Sequence, residues 1–155
     1  MASEDNGYKL NELITRAYRT INLMEDAKIK RNSHLDVTNS ELHLMEEISK
    51  HPYGATITQL AKSMSCTLPT MTVTVKNLVK KGYAVKVKSP DDKRELRVYL
   101  TKTGGKLNTV HLYLHRRISR QIANSFSEEE QEVLIRGMEK IIELFSSELY
   151  RGRDK

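Results

Sequence analysis

The chain has 155 residues, with 26 Lys or Arg against 20 Asp or Glu, for a net charge of +6. That length supports one ordinary hydrophobic core rather than two comfortable domains. A single cysteine, Cys66, excludes an internal disulfide, no run approaches eighteen apolar residues, and MASEDNGYKL has no signal-like apolar core, so the sequence points to a cytoplasmic protein with no membrane contact. A basic domain favours acidic partners, nucleic acid first. Aromatic residues are only 6% and Trp is absent, which argues against a base-stacking platform.

Taken in order, residues 8–29 carry Tyr8, Leu10, Leu13, Ile14, Ala17, Tyr18, Ile21, Met24 and Ala27 at helical spacing. Residues 30–37 read as a loop. Thr38 and Glu41 then form a capping box, in which each side chain reaches the other's backbone amide. The helix they open runs to about Lys50, with Leu42, Met45 and Ile48 inward, and His51-Pro52-Tyr53-Gly54 ends it. Thr56 and Gln59 form a second box, opening a short helix with Leu60, Ala61 and Met64 on one face.

Ser65-Cys66-Thr67 is a turn, and Thr67 is a good N-cap for a helix from Leu68 to Lys81. Pro69 falls in its first turn, where a missing N–H costs nothing, and Gly82 suits the position just past its end. Leu68, Met71, Val75 and Leu78 read as its buried face; Thr70, Val73, Thr74 and Asn77 then face outward. After Gly82 the apolar period drops to two: Tyr83, Val85, Val87, then Leu96, Val98, Leu100. This predicts a hairpin whose connection, KSPDDKRE, carries three bases and three acids. Two short helices and a hairpin make a winged helix-turn-helix.

Thr101 is the next N-cap. The helix from Lys102 to about Asn124 has Leu107, Val110, Leu114, Ile118 and Ile122 along one stripe. Ser127 and Glu130 make a third box, and the last helix shows Val133, Leu134, Met138, Ile141, Ile142, Phe145 and Leu149. These terminal helices are too apolar for a small winged domain to cover, so a homodimer with interlocking terminal helices is expected. The fold class is mainly α with a small β-hairpin (α+β). Residues 38–101 read as the DNA-binding part and residues 1–37 with 102–155 as the dimerisation part of one continuous compact unit.

The sequence resembles the MarR family of transcriptional regulators over nearly its whole length. The most specific part is Asp92-Lys93-Arg94-Glu95 running into Leu96 to Leu100 and Thr101, similar to the family's D-x-R wing signature before a strand ending in L-T. The LVKKGY run, Leu78 to Tyr83, is similar to the family's helix-to-strand junction. The resemblance implies that Arg94 enters a minor groove of double-stranded DNA while Asp92 holds it. It also implies recognition by the helix from Leu68, with Thr67, Thr70, Thr72, Val73, Thr74, Lys76, Asn77 and Lys93 as DNA-binding residues. Methyl-bearing Thr and Val suit thymine methyls, and Asn suits adenine. A narrow A·T-rich minor groove attracts Arg, so a palindromic A·T-rich operator is expected.

Within the family the chain resembles the FabT-type repressors of fatty-acid synthesis genes, through Ser40-Glu41-Leu42-His43, the His111/His115 pair and Ser127-Glu128-Glu129-Glu130. That resemblance implies a response to acyl chains carried on acyl carrier protein. A slot lined by Leu13, Ala17, Ile21, Leu44, Leu107 and Leu114 would take the chain, although the same residues also serve as plain core. A small aromatic or lipophilic effector is the alternative.

His111 and His115 are four apart and share a helix face, which is ligand spacing for zinc. In zinc-sensing members of the family a Glu of the first helix, a His of the second and two His of the fifth converge. Glu25, His43, His111 and His115 are similarly placed; a hydrogen-bonded polar cluster is the other reading. No H-E-x-x-H, phosphate-binding Gly loop or nucleophile elbow is present, so no enzyme is expected.

Overall fold

The computed structural model describes residues 2–31, 36–90 and 94–151. The elements are α1 (Ala2–Arg31), α2 (Asn39–Ser49), α3 (Ile57–Ser63), α4 (Leu68–Lys80), β1 (Ala84–Lys88), β2 (Leu96–Leu100), α5 (Lys102–Ala123) and α6 (Glu128–Arg151). The chain divides into two compact units, Met1–His111 and Leu112–Lys155. No helix among the described residues is long and apolar enough to cross a membrane.

The helix starts follow from local chemistry. Thr38 accepts from the Glu41 amide while Glu41 accepts from the Thr38 amide at 2.8 Å. Thr56 and Gln59 repeat the exchange, as do Ser127 and Glu130. The predicted first helix begins at Tyr8, whereas α1 starts at Ala2. No proline interrupts it, and a lone Gly7 costs a helix only about 1 kcal/mol.

The first unit's core is built by Leu44, Met45, Ile48, Leu60, Met71, Val75, Leu78 and Val98, all but sealed from solvent. Leu68, expected in the buried face of α4, is instead 50% exposed. It is the first residue of the helix, and its side chain leans back toward the N-terminus, beyond the packed turns.

The expected hairpin forms, and its register decides which apolar residues meet the core. Its antiparallel register pairs Ala84 with Leu100, Val85 with Tyr99, Lys86 with Val98, Val87 with Arg97 and Lys88 with Leu96. Directly paired residues share a face. Val85 and Val87 therefore lie with Tyr99 and Arg97, while Leu96, Val98 and Leu100 lie with Ala84 and two lysines. The two apolar stripes read from the sequence sit on opposite faces, and the core takes Ala84 and Val98. Ala55 exchanges both backbone hydrogen bonds with Val98, at 3.2 and 2.8 Å, and so adds a one-residue third strand beside β2.

Where α5 meets the first unit it buries Gly104, Asn108 and His111, not an apolar stripe; Val110 is exposed. A Cβ on Gly104 would collide with the Tyr83 carbonyl, so the helix start packs against backbone. In the second unit Val133, Leu134, Met138, Ile142 and Phe145 of α6 are exposed in the single chain.

Candidate nucleic-acid interface and a buried polar cluster

The turn between α3 and α4 is set by Ser65 in the left-handed region, φ 51. The Thr67 side chain accepts from the Thr70 amide at 3.3 Å, and the two hydroxyls lie 2.7 Å apart. With Met71, Val75 and Leu78 buried, the helix holds Thr70, Val73, Lys76 and Asn77 in solvent and Thr74 half-buried. Thr72 and Thr74 donate their hydroxyls to the carbonyls of Leu68 and Thr70, at 2.8 and 2.9 Å. Each hydroxyl proton is satisfied locally, which leaves the γ-methyl as the part suited to an apolar contact. Thirteen residues of helix extend about 20 Å, enough to lie along a major groove.

The wing adds exposed cations, Lys86 and Lys88 on β1 and Arg94 before β2. The Ser89 amide donates to the Glu95 carbonyl at 2.9 Å, continuing the ladder toward the tip. Asp92 and Lys93, expected at the DNA, lie outside the described residues. Arg97 is turned inward: Nε and Nη2 reach Glu95 Oε1 at 2.8 and 2.7 Å, and Nη1 donates to the carbonyls of Tyr53 and Gly54 at 3.3 and 3.4 Å. The Tyr99 hydroxyl donates to the Tyr53 carbonyl at 2.7 Å.

The far end of α4 is anchored by charge. Lys81 Nζ lies 2.9 Å from Oε2 of the buried Glu41 and 3.3 Å from Asp36. Burial opposes the charge on Lys81, but the hydrogen bond and field of Glu41, helped by Asp36, more than offset it, and its pKa is raised. The same Glu41 carboxylate caps α2, so one buried group ties the start of α2 to the end of α4.

A polar cluster occupies the first unit where α1, α2 and α5 supply Glu25, His43, Glu46 and His111. Glu25 and His111 are buried. Glu25 Oε2 lies 3.5 Å from His43 Nε2, and the rings of His43 and His111 meet edge to face at 5.3 Å. His111 Nε2 lies 3.6 Å from Glu46 Oε2. Donor atoms of His43, Glu46 and His111 all fall within 4.8 Å of one another. Three of the four residues proposed from the sequence thus come together; His115 belongs to the second unit. Glu46 was missed there, although its place three residues after His43 on α2 puts both on one helix face.

The expected acyl-slot residues occupy different environments. Leu44 is fully buried and Leu107 packs against the core, whereas Leu13, Ala17 and Ile21 are exposed in the single chain. Leu114 is half-buried and belongs to the second unit.

A protein-family model described as the MarR family matches residues 37–96. Among solved structures, the chain is similar to Streptococcus pneumoniae FabT in complex with DNA, at 28% identity over 90% of this chain and 97% of that one, with a TM-score of 0.84. The S. aureus MepR–DNA complex, at 23% identity over 86% of this chain and 96% of that one and a TM-score of 0.75, shares the fold. A curated relative from Bacillus subtilis, the uncharacterized HTH-type transcriptional regulator YhjH, is 23% identical over 107 residues; the match spans 69% of this chain and 61% of that protein's length. The match to the MarR family thus covers α2, α3, α4 and β1 and reaches the first residue of β2, the helix-turn-helix and most of the wing.

Proposed function

We propose that the chain is a cytoplasmic transcription regulator that binds double-stranded DNA as a homodimer and represses fatty-acid biosynthesis genes. The observation that carries this reading is the solvent face of α4, where Thr70, Val73, Lys76 and Asn77 stand opposite a sealed apolar face. The likeness to FabT bound to DNA, over nearly the whole of both chains, supports the choice of gene class. Residues 38–101 form the DNA-reading part. Residues 1–37 and 102–155 dimerise through the exposed apolar faces of α1, α5 and α6, since a lone chain would leave them in water. A two-fold dimer reads a palindrome, and the Thr/Val/Asn face with Arg94 in the minor groove favours A·T-rich half-sites. Acyl chains on acyl carrier protein are the effector, with Leu13, Ala17, Ile21, Leu44 and Leu107 of the first unit as the slot residues.

Footprinting on promoters of fatty-acid genes, followed by titration with acyl and unacylated carrier protein, tests this. A protected A·T-rich palindrome, a steep fall of affinity with salt and a response to the acylated carrier alone are the expected results. Protection of a G·C-rich site would remove the base preference, and indifference to acyl chains would remove the effector.

The three donors of His43, Glu46 and His111 favour a second reading, in which zinc is the effector. The residues fit the ion: two imidazoles and a carboxylate are its ordinary ligands, with Glu25 beside His43 as a further donor. Zinc bound there would tie α1, α2 and α5 together through charge. Metal analysis of untagged protein, with operator binding measured with and without zinc, separates this from a hydrogen-bonded cluster.

A further inference from the structure

Arg97 is a cation on the wing of a DNA-binding domain, yet its geometry does not suit a DNA contact. All three of its guanidinium nitrogens are engaged within the protein, on Glu95 and on the carbonyls of Tyr53 and Gly54. A planar fork satisfied on both edges has little left to offer a phosphate.

What Arg97 holds is more informative. Glu95 directly follows Arg94. Its carboxylate is gripped by Arg97, and its backbone carbonyl accepts from the Ser89 amide at 2.9 Å. The peptide on which Arg94 is mounted is thus fixed at two points. The other half of the grip is the segment from Tyr53 to Ala55. Tyr99 fastens to the Tyr53 carbonyl, Ala55 pairs with Val98, and Gly54 takes φ +77 with no room for a Cβ beside the Tyr99 ring.

From this geometry we infer that Arg97, with Glu95 and Tyr99, is a positioning residue that clamps β2 to the Tyr53–Ala55 segment and so sets the direction in which the wing presents Arg94 to the minor groove. The inference rests on the reading of Arg94 as a DNA-contacting residue. The clamp fixes the mount before DNA arrives, so binding does not have to order it.

A double-mutant cycle on the full chain tests the clamp. Operator affinity and its salt dependence are measured for Arg94→Ala, Arg97→Met and the double variant, with thermal unfolding as the folding control. Arg94→Ala should weaken binding roughly tenfold or more and lower the salt slope by about one unit. Arg97→Met should cost a comparable factor, and the double variant should bind like Arg94→Ala alone, within about twofold by the usual additivity error. Glu95→Gln and Tyr99→Phe, which remove one charge and one hydroxyl, should show the same non-additivity at smaller size and keep the test open if Arg97→Met folds poorly. Losses that multiply in the double variant, or a further drop in salt slope, would mean that Arg97 touches DNA itself and would overturn the clamp. So would unchanged affinity in all three clamp variants. Unchanged affinity in Arg94→Ala overturns the underlying wing reading instead, and the clamp with it.

Discussion

The winged region and the last helix use the same amphipathic pattern and satisfy it differently. Between α2 and β2, Leu44, Met45, Leu60, Val75, Leu78 and Val98 disappear into a common core. Along α6, Val133, Met138, Ile142 and Phe145 recur at similar helical spacing and remain in solvent. A helix buries its apolar stripe wherever a partner surface exists. For the winged region that surface is supplied by the chain itself; for α6 we assign it to a second copy.

Breaking the second of these should have the larger functional effect. Placing charges in the α6 stripe, Met138→Glu with Phe145→Glu, should convert the dimer to monomer by analytical ultracentrifugation. Operator affinity should fall on the order of 100-fold, the gain that two linked half-sites provide, while the winged region keeps its fold. A dimer that survives this change would place the interface elsewhere.

The first region can be tested through its buried charge. Lys81→Met leaves Glu41 buried with its main cationic partner gone, a situation that costs about 3 kcal/mol. A denaturant midpoint shift of that size is expected, with the dimer intact. The shift should shrink when Glu41→Gln is added, because the uncompensated charge is then removed.

The smallest effect concerns pH. The Glu47 carboxyl is held below its ordinary range, chiefly by a hydrogen bond from Lys50, against the opposing effect of burial and with help from Ser63 and His51. Its stabilisation is therefore fully present above the unfolded pKa of about 4.3 and is lost as pH falls through the lower folded value. Urea midpoints taken from pH 6 down to pH 3 should decline, and Glu47→Gln should flatten part of that decline.

Local chemistry was legible in the sequence and long-range choice was not. The capping boxes at Thr38, Thr56 and Ser127 could be read because both partners lie within four residues. The parity of the hairpin could not. Val85 and Val98 each belong to a clean alternation, but which alternation meets the core depends on the cross-strand register and on Ala55, over forty residues upstream of its partner Val98. The part of α5 that packs in the first unit escaped for another reason. It buries Gly104, Asn108 and His111, and a search for apolar periodicity passes over such a face. Glu46 carried no signal of its own, because a carboxylate three residues after His43 on a charged helix reads equally well as a solvated side chain.

Gly104 also sets how closely the start of α5 can approach the backbone that follows α4. Its amide donates to the Thr101 hydroxyl, which in turn donates to the Gly82 carbonyl at 2.7 Å, while the Thr101 amide donates to the Tyr83 carbonyl at 3.0 Å. Backbone lies directly on backbone at this crossing, with no side chain between to yield. A larger residue at position 104 would push the start of α5 away from Tyr83 and strain the hydrogen bonds that hold Thr101 to the backbone just after α4.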